Sequence, residues 1–119
     1  MQTYRDLVVW QKGIQLVKNI YQLTDKFPKS EMFGLVSQMR RAAVSIPANL
    51  AEGYSRKHRR EYIQFVRIAY GSGAELETFL VLTRELTFAH ASEIAKVEAL
   101  LNEVMRMLNK LISSLVAKP

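Results

Sequence analysis

Four cations stand within five residues of one another: Arg56, Lys57, Arg59 and Arg60. Tyr54 and Tyr62 flank them, and Arg67 follows two helical turns after Arg60. Guanidinium forks match phosphate oxygens in pairs, and a phenol ring can stack on an unpaired base. The combination points to nucleic acid without separating RNA from DNA. The charge is also concentrated. Residues 40–73 carry seven Lys and Arg against Glu52 and Glu61, so +5 of the chain's net +6 lies there. The competing reading is a solvated charged turn that binds nothing.

A second constellation is a polar line. Gln38, Arg41, Ser45, Asn49 and Glu52 share one helical face by their three-four spacing. Glu75 lies beside Gly71 and Gly73 on the next helical stretch. Arg41, Asn49, Glu52 and Glu75 could form a catalytic or ligand site. They could equally form a satisfied polar network between helices or subunits, with Arg41 paired to a carboxylate. The network is the preferred reading, because a charge taken out of water must be paired.

Other chemistry finds no support. There is no glycine-rich phosphate loop, no HExxH and no EF-hand loop. His58 and His90 have no carboxylate or second histidine at ligand spacing, and each reads as a solvated turn residue. With no cysteines, thiolate metal sites and disulfides are excluded. A non-enzymatic protein without cofactor or metal is expected.

The elements that must position these residues are helical. Leu7, Trp10, Ile14, Val17, Tyr21 and Thr24, widened by Val9, Leu16, Ile20, Leu23 and Phe27, predict a first amphipathic helix ending at Phe27-Pro28. Ser30 is the expected N-cap of a second helix starting near Glu31. Its apolar side is Met32, Leu35, Val36, Met39, Ala43, Ile46 and Leu50. Pro47 predicts a kink at Ala43 to Pro47, because it removes the amide that the Ala43 carbonyl would accept from. A third helix is expected from Arg59 to about Thr87, with Ser55 as a candidate cap. Gly71 and Gly73 at its centre each cost about 1 kcal/mol against alanine. They suggest that another helix approaches closely there. Ile94, Val97, Leu101, Val104, Leu108, Leu111 and Leu115 predict a fourth helix with a coiled-coil-like seam, capped by Ser92. Short turns between four helices argue for an all-α, antiparallel up-down four-helix bundle. Spare apolar surface on the first and fourth helices hints at oligomerisation.

At 119 residues the chain is expected to be one domain, 1–119, of soluble globular composition. No apolar run spans a membrane, and the N-terminal stretch lacks the pattern of a signal peptide. A basic chain favours anionic partners.

Two stretches carry a resemblance: Ser45-Ile46-Pro47-Ala48-Asn49-Leu50-Ala51-Glu52-Gly53, and Ile68-Ala69-Tyr70-Gly71-Ser72-Gly73-Ala74-Glu75-Leu76-Glu77. With Leu7-Val8-Val9-Trp10-Gln11-Lys12, Phe27-Pro28 and Glu31-Met32-Phe33-Gly34-Leu35, they closely resemble the 23S rRNA intervening sequence proteins, a four-helix bundle family. The likeness covers residues 4 to about 86; the fourth helix matches only in pattern. The family is also similar to the accessory protein of diversity-generating retroelements, which works with a reverse transcriptase and nucleic acid. The resemblance implies a bacterial, cytoplasmic protein assembled as a homopentameric ring. It implies a role in folding and assembly for Arg41, Pro47, Asn49, Glu52, Gly71, Gly73 and Glu75. Binding then falls to the basic turn: Tyr54, Arg56, Lys57, Arg59, Arg60 and Arg67. The resulting expectation is an oligomeric nucleic-acid-binding protein, RNA rather than DNA. The alternative is an oligomeric scaffold for a protein such as a nucleic-acid polymerase.

Overall fold

The computed structural model of the protein describes residues 3–118. Among them are four α-helices and no strand: α1 (Val8–Thr24), α2 (Ser37–Tyr54), α3 (Arg59–Glu85) and α4 (Ala91–Ala117). Each helix packs against its neighbours in sequence, and α1 closes the arrangement against α4. The result is an antiparallel up-down bundle 48 Å long and 23 by 21 Å across. None of these helices is long and apolar enough to cross a membrane.

The buried face of α1 is Val9, Gly13, Leu16, Ile20, Leu23 and Thr24. The expected stripe is broader than this, and its Ile14 and Tyr21 face solvent. The physical reason is Gly13. It lies beneath the Pro47 ring, and a Cβ there would stand 3.5 Å from the proline carbons. A glycine at the contact carries no apolar signal although it is buried where α1 meets α2. The same contact explains why α2 tolerates its proline. Pro47 is buried, and α2 runs through it from Ser37 to Tyr54. The irregular backbone lies not at Ala43–Pro47 but at Gly34, whose dihedrals (φ −109°, ψ −110°) are not helical.

That irregularity corrects the start of the second helix. Instead of one helix capped by Ser30, the chain makes a 3₁₀ turn over Lys29–Glu31 and a π turn over Met32–Val36. The cap is Glu31, whose Oε1 accepts from the Leu35 amide at 3.4 Å. Phe33 is left 96% exposed on this turn. Two further caps also differ from expectation. His58 and His90 occupy the N-cap positions of α3 and α4, neither with a side-chain cap bond. Ser55 donates back to the Ala51 carbonyl at 2.8 Å instead. The α3–α4 connection turns at Thr87, which adopts φ 56° although it is β-branched.

α4 buries Ile94, Val97, Leu101, Val104, Leu108 and Leu115, the expected seam apart from half-buried Leu111, together with Met105. Met105 packs beneath Gly73, where a Cβ would collide with its sulfur. Gly71 differs: it is exposed, with no atom within 4 Å of where its Cβ would be. Only one glycine of the pair therefore serves close packing within the chain. At the far end of α3, a Cβ on Gly53 would lie 2.7 Å from the Phe65 Cβ and 3.1 Å from the Tyr62 ring. Two exposed ion pairs clasp α4 to its neighbours at the other end: Lys26 with Glu93 at 2.8 Å, and Arg84 in two 2.8 Å bonds to Glu98.

Three substitutions test this packing. Gly53→Ala gains about 1 kcal/mol of helix propensity but overpacks against the Phe65 backbone end, at a cost of about 1–3 kcal/mol. We expect a net loss in denaturant unfolding. Gly71→Ala meets open space and should raise stability by about 0.5–1 kcal/mol in the same measurement. Hydrogen bonds from Arg84 hold the Glu98 carboxyl below its usual 4.5. The stability this adds is present above the unfolded-state value and is lost as pH falls through the lowered folded value. Glu98→Gln should therefore be less stable than wild type at neutral pH, with the difference closing in acid.

Candidate nucleic-acid interface

The α2–α3 turn is short because Gly53 lets the end of α2 lie directly on the first turns of α3. This fixes where the basic residues point. Arg56 is turned inward to the turn itself. Its guanidinium pairs with Glu52 at 3.1 Å and Glu61 at 3.7 Å, and lies 5.1 Å from the Phe65 ring centre. The only two acids of the basic segment are thus spent on one arginine. Lys57, Arg60 and Arg67 are exposed and, among the described residues, have no carboxylate within 4 Å. Arg59 is exposed beside them.

Arg59, Arg60 and Arg67 border an open groove of about 590 Å³, and Lys57 stands on the turn next to it. His58, Arg59, Arg60, Ile63, Gln64 and Arg67 line it from α3, and Leu115 and Val116 from the last turn of α4. The antiparallel topology causes the meeting, since α4 ends where α3 begins. The N-terminus of α3 opens at the same place and adds its partial positive charge. A groove with an apolar floor, several cations and a helix N-terminus can hold a phosphate chain with sugars or bases beside it.

Tyr54 takes a different position from its expected one. Its ring is half-buried and meets Tyr62 edge-to-face, with centroids 5.9 Å apart at 84°. Burial raises the Tyr62 phenol above its ordinary value. The tyrosine pair therefore packs the α2–α3 junction, and Tyr54 is not presented to the groove. The groove residues absent from the sequence reading are Ile63, Gln64, Leu115 and Val116. Arg60, Gln64 and Arg67 do share three-four spacing, but nothing local announces that the end of α4 lies across from them.

The polar line divides into separate contacts. Ser45 and Ser72 hydroxyls meet at 2.7 Å between α2 and α3. Asn49 donates to the Ser45 carbonyl at 2.8 Å and hydroxyl at 2.9 Å. Ser72, unmarked in the sequence reading, is the α3 member of this network. Glu75 is exposed and does not join it, and Arg41 is exposed without a carboxylate within 4 Å among the described residues. Glu52 belongs to the Arg56 brace. Arg41, Asn49, Glu52 and Glu75 are thus not gathered into one site. No group of three or more His, Asp or Glu among the described residues could hold a metal ion.

Comparison with known proteins agrees with the bundle. Among solved structures, a crystal structure from Bacteroides thetaiotaomicron superposes with a TM-score of 0.83 at 22% identity. It covers 89% of this chain and 96% of that one, and is described as a protein of unknown function from the S23 ribosomal protein family. At that identity the likeness shows the fold. No curated protein matches the chain. The model of the 23S rRNA-intervening sequence proteins matches residues 5–110, which extends the likeness from the first three helices through most of α4. By that match, and with the bundle it requires in place, the chain belongs to the 23S rRNA-intervening sequence protein family.

Proposed function

We propose that this protein is a non-enzymatic, oligomeric nucleic-acid-binding protein of the cytoplasm, directed to RNA, which grips phosphates at the α3–α4 end of the bundle. The observation that carries the reading is the segregation of charge there. Arg56 absorbs both local acids, while Arg60 and Arg67 stand exposed with Arg59 around one groove and Lys57 is exposed on the adjoining turn. Exposed cations so close together repel one another, and a polyanion relieves that repulsion. Arginine forks bind phosphate oxygens bidentately, and backbone amides at a helix N-terminus suit the same charge. RNA is preferred over DNA on the family's association with 23S rRNA. Assembly into a ring, for which the family resemblance suggests five copies, would present several such grooves to one strand and raise avidity.

A scaffold role for a protein such as a polymerase is the second reading, and the exposed Phe33 favours it. A partner that stays bound through nuclease treatment and high salt would support it over the first.

The test is binding to structured RNA, single-stranded RNA and duplex DNA across a salt series. Four phosphate contacts would give log K against log salt a slope of about −3. Replacing Lys57, Arg59, Arg60 and Arg67 together by alanine should flatten that slope and abolish binding near physiological salt, with helicity unchanged. Arg56→Ala should chiefly lower stability, by about 1 kcal/mol or less, since its ion pairs are half exposed. Equal affinity in the four-alanine variant would overturn the assignment.

A further inference from the structure

Phe33 is a large apolar side chain held almost wholly in water, 96% exposed. It is placed there by structure: the π turn and the non-helical Gly34 after it push the segment away from the bundle. Met32, Val44 and Tyr21 are exposed beside it, so the projection stands on an apolar patch on the α1/α2 face. Arg40 and Arg41 border that patch, with no carboxylate within 4 Å of either among the described residues. A contiguous apolar patch with a charged rim marks an interaction surface.

The chain itself supplies the complement. On the α3/α4 face, opposite in the bundle, lies a cleft of about 400 Å³. Exposed Val81, Ala95 and Ala99 line it, with Glu77 on its edge. A cavity of about 150 Å³ already holds a benzene-sized ring, so the cleft has room for Phe33. The surrounding charge has the right sign. Glu93, Glu98 and Glu103 are paired within the chain to Lys26, Arg84 and Lys12, which leaves Glu75, Glu77 and Glu85 as the surplus acids of α3, with Glu77 at the cleft itself. A basic apolar knob and an acidic apolar cleft on opposite faces cannot meet within one molecule. They can meet between two, head to tail, and repetition of that contact builds a closed ring when the rotation between copies closes and an open filament when it does not.

We infer that the Met32–Phe33 projection of one copy seats in the α3/α4 cleft of a second copy of this chain, with Arg41 facing Glu77. This rests on the oligomeric part of the proposed function and names the surface that builds it. A second copy fits better than a foreign protein because both halves of the contact are present on this chain.

The experiment is light-scattering mass measurement of nuclease-treated protein near physiological salt, where the charge contact is not screened out, across a concentration series, with helicity checked by circular dichroism. Wild type is expected at a multiple of the monomer mass. Phe33→Ser, a change at an exposed residue, should give monomer with unchanged helicity. Arg41→Glu and Glu77→Arg should each weaken assembly, and the double variant should restore it. An assembled Phe33→Ser protein would overturn this surface while leaving an oligomeric protein in place. A monomeric wild type would overturn both, and a wild type that assembles only with a foreign protein would replace the second copy with that partner. Nucleic-acid affinity is read separately and bears on neither result.

Discussion

The bundle depends on the close approach of α2 and α3 at Gly53. Any larger residue there must displace its neighbour, because a Cβ would meet the Phe65 Cβ at 2.7 Å, and that atom cannot swing aside as a side-chain tip could. The contact sets the length of the α2–α3 turn, brings Glu52 and Glu61 to either side of Arg56, and buries the edges of Tyr54 and Tyr62. Further along the same pair of helices the Ser45–Ser72 bond fixes their register with a polar contact rather than a steric one. Gly73 faces the Met105 sulfur, a flexible tip, and Gly13 sits beneath the Pro47 ring where a Cβ would be in ordinary contact. Three of the five glycines thus lie at helix–helix contacts, but only Gly53 faces an atom that cannot move aside.

With the turn so fixed, its cations divide into two kinds. Arg56 is structural: two carboxylates and an aromatic ring hold it. Arg59, Arg60 and Arg67 face a groove that ends against α4, with Lys57 exposed on the turn beside it. A charge that only kept the protein dissolved would be spread over the surface, and its loss would be close to neutral. Here Arg59, Arg60 and Arg67 are gathered around one groove with Lys57 beside it, which gives a polyanion a local surface to bind.

Periodicity made the four helices legible, along with the turn that carries the basic residues, because apolar spacing directly reflects which face is buried. It failed where burial is achieved without an apolar side chain. The α1 stripe shifted because its central residue is Gly13, and the second helix began late because Glu31 and Gly34 impose 3₁₀ and π turns that no spacing rule separates from α-helix. Pro47 drew attention as a kink, but its buried ring is a packing surface. Within the site, the cations were visible and their division was not. Which arginine a glutamate takes depends on rotamers at a helix junction, as Arg56 shows. The floor of the groove needed the end of α4, about fifty residues away in sequence from α3's first turn. Tyr54 lies off the groove for a related reason: its packing against the Tyr62 ring depends on the helix junction, which an aromatic beside a basic run does not reveal.

The most direct test of the central claim, that the exposed cations around the α3–α4 groove form the phosphate-binding surface, is amide shift mapping by NMR. A short single-stranded RNA would be titrated into the labelled protein at low salt. The account predicts shifts confined to the first turns of α3, from His58 to Arg67, and to Leu115 and Val116 at the end of α4. Shifts centred on the α1/α2 face around Phe33, with the groove amides unmoved, would contradict it.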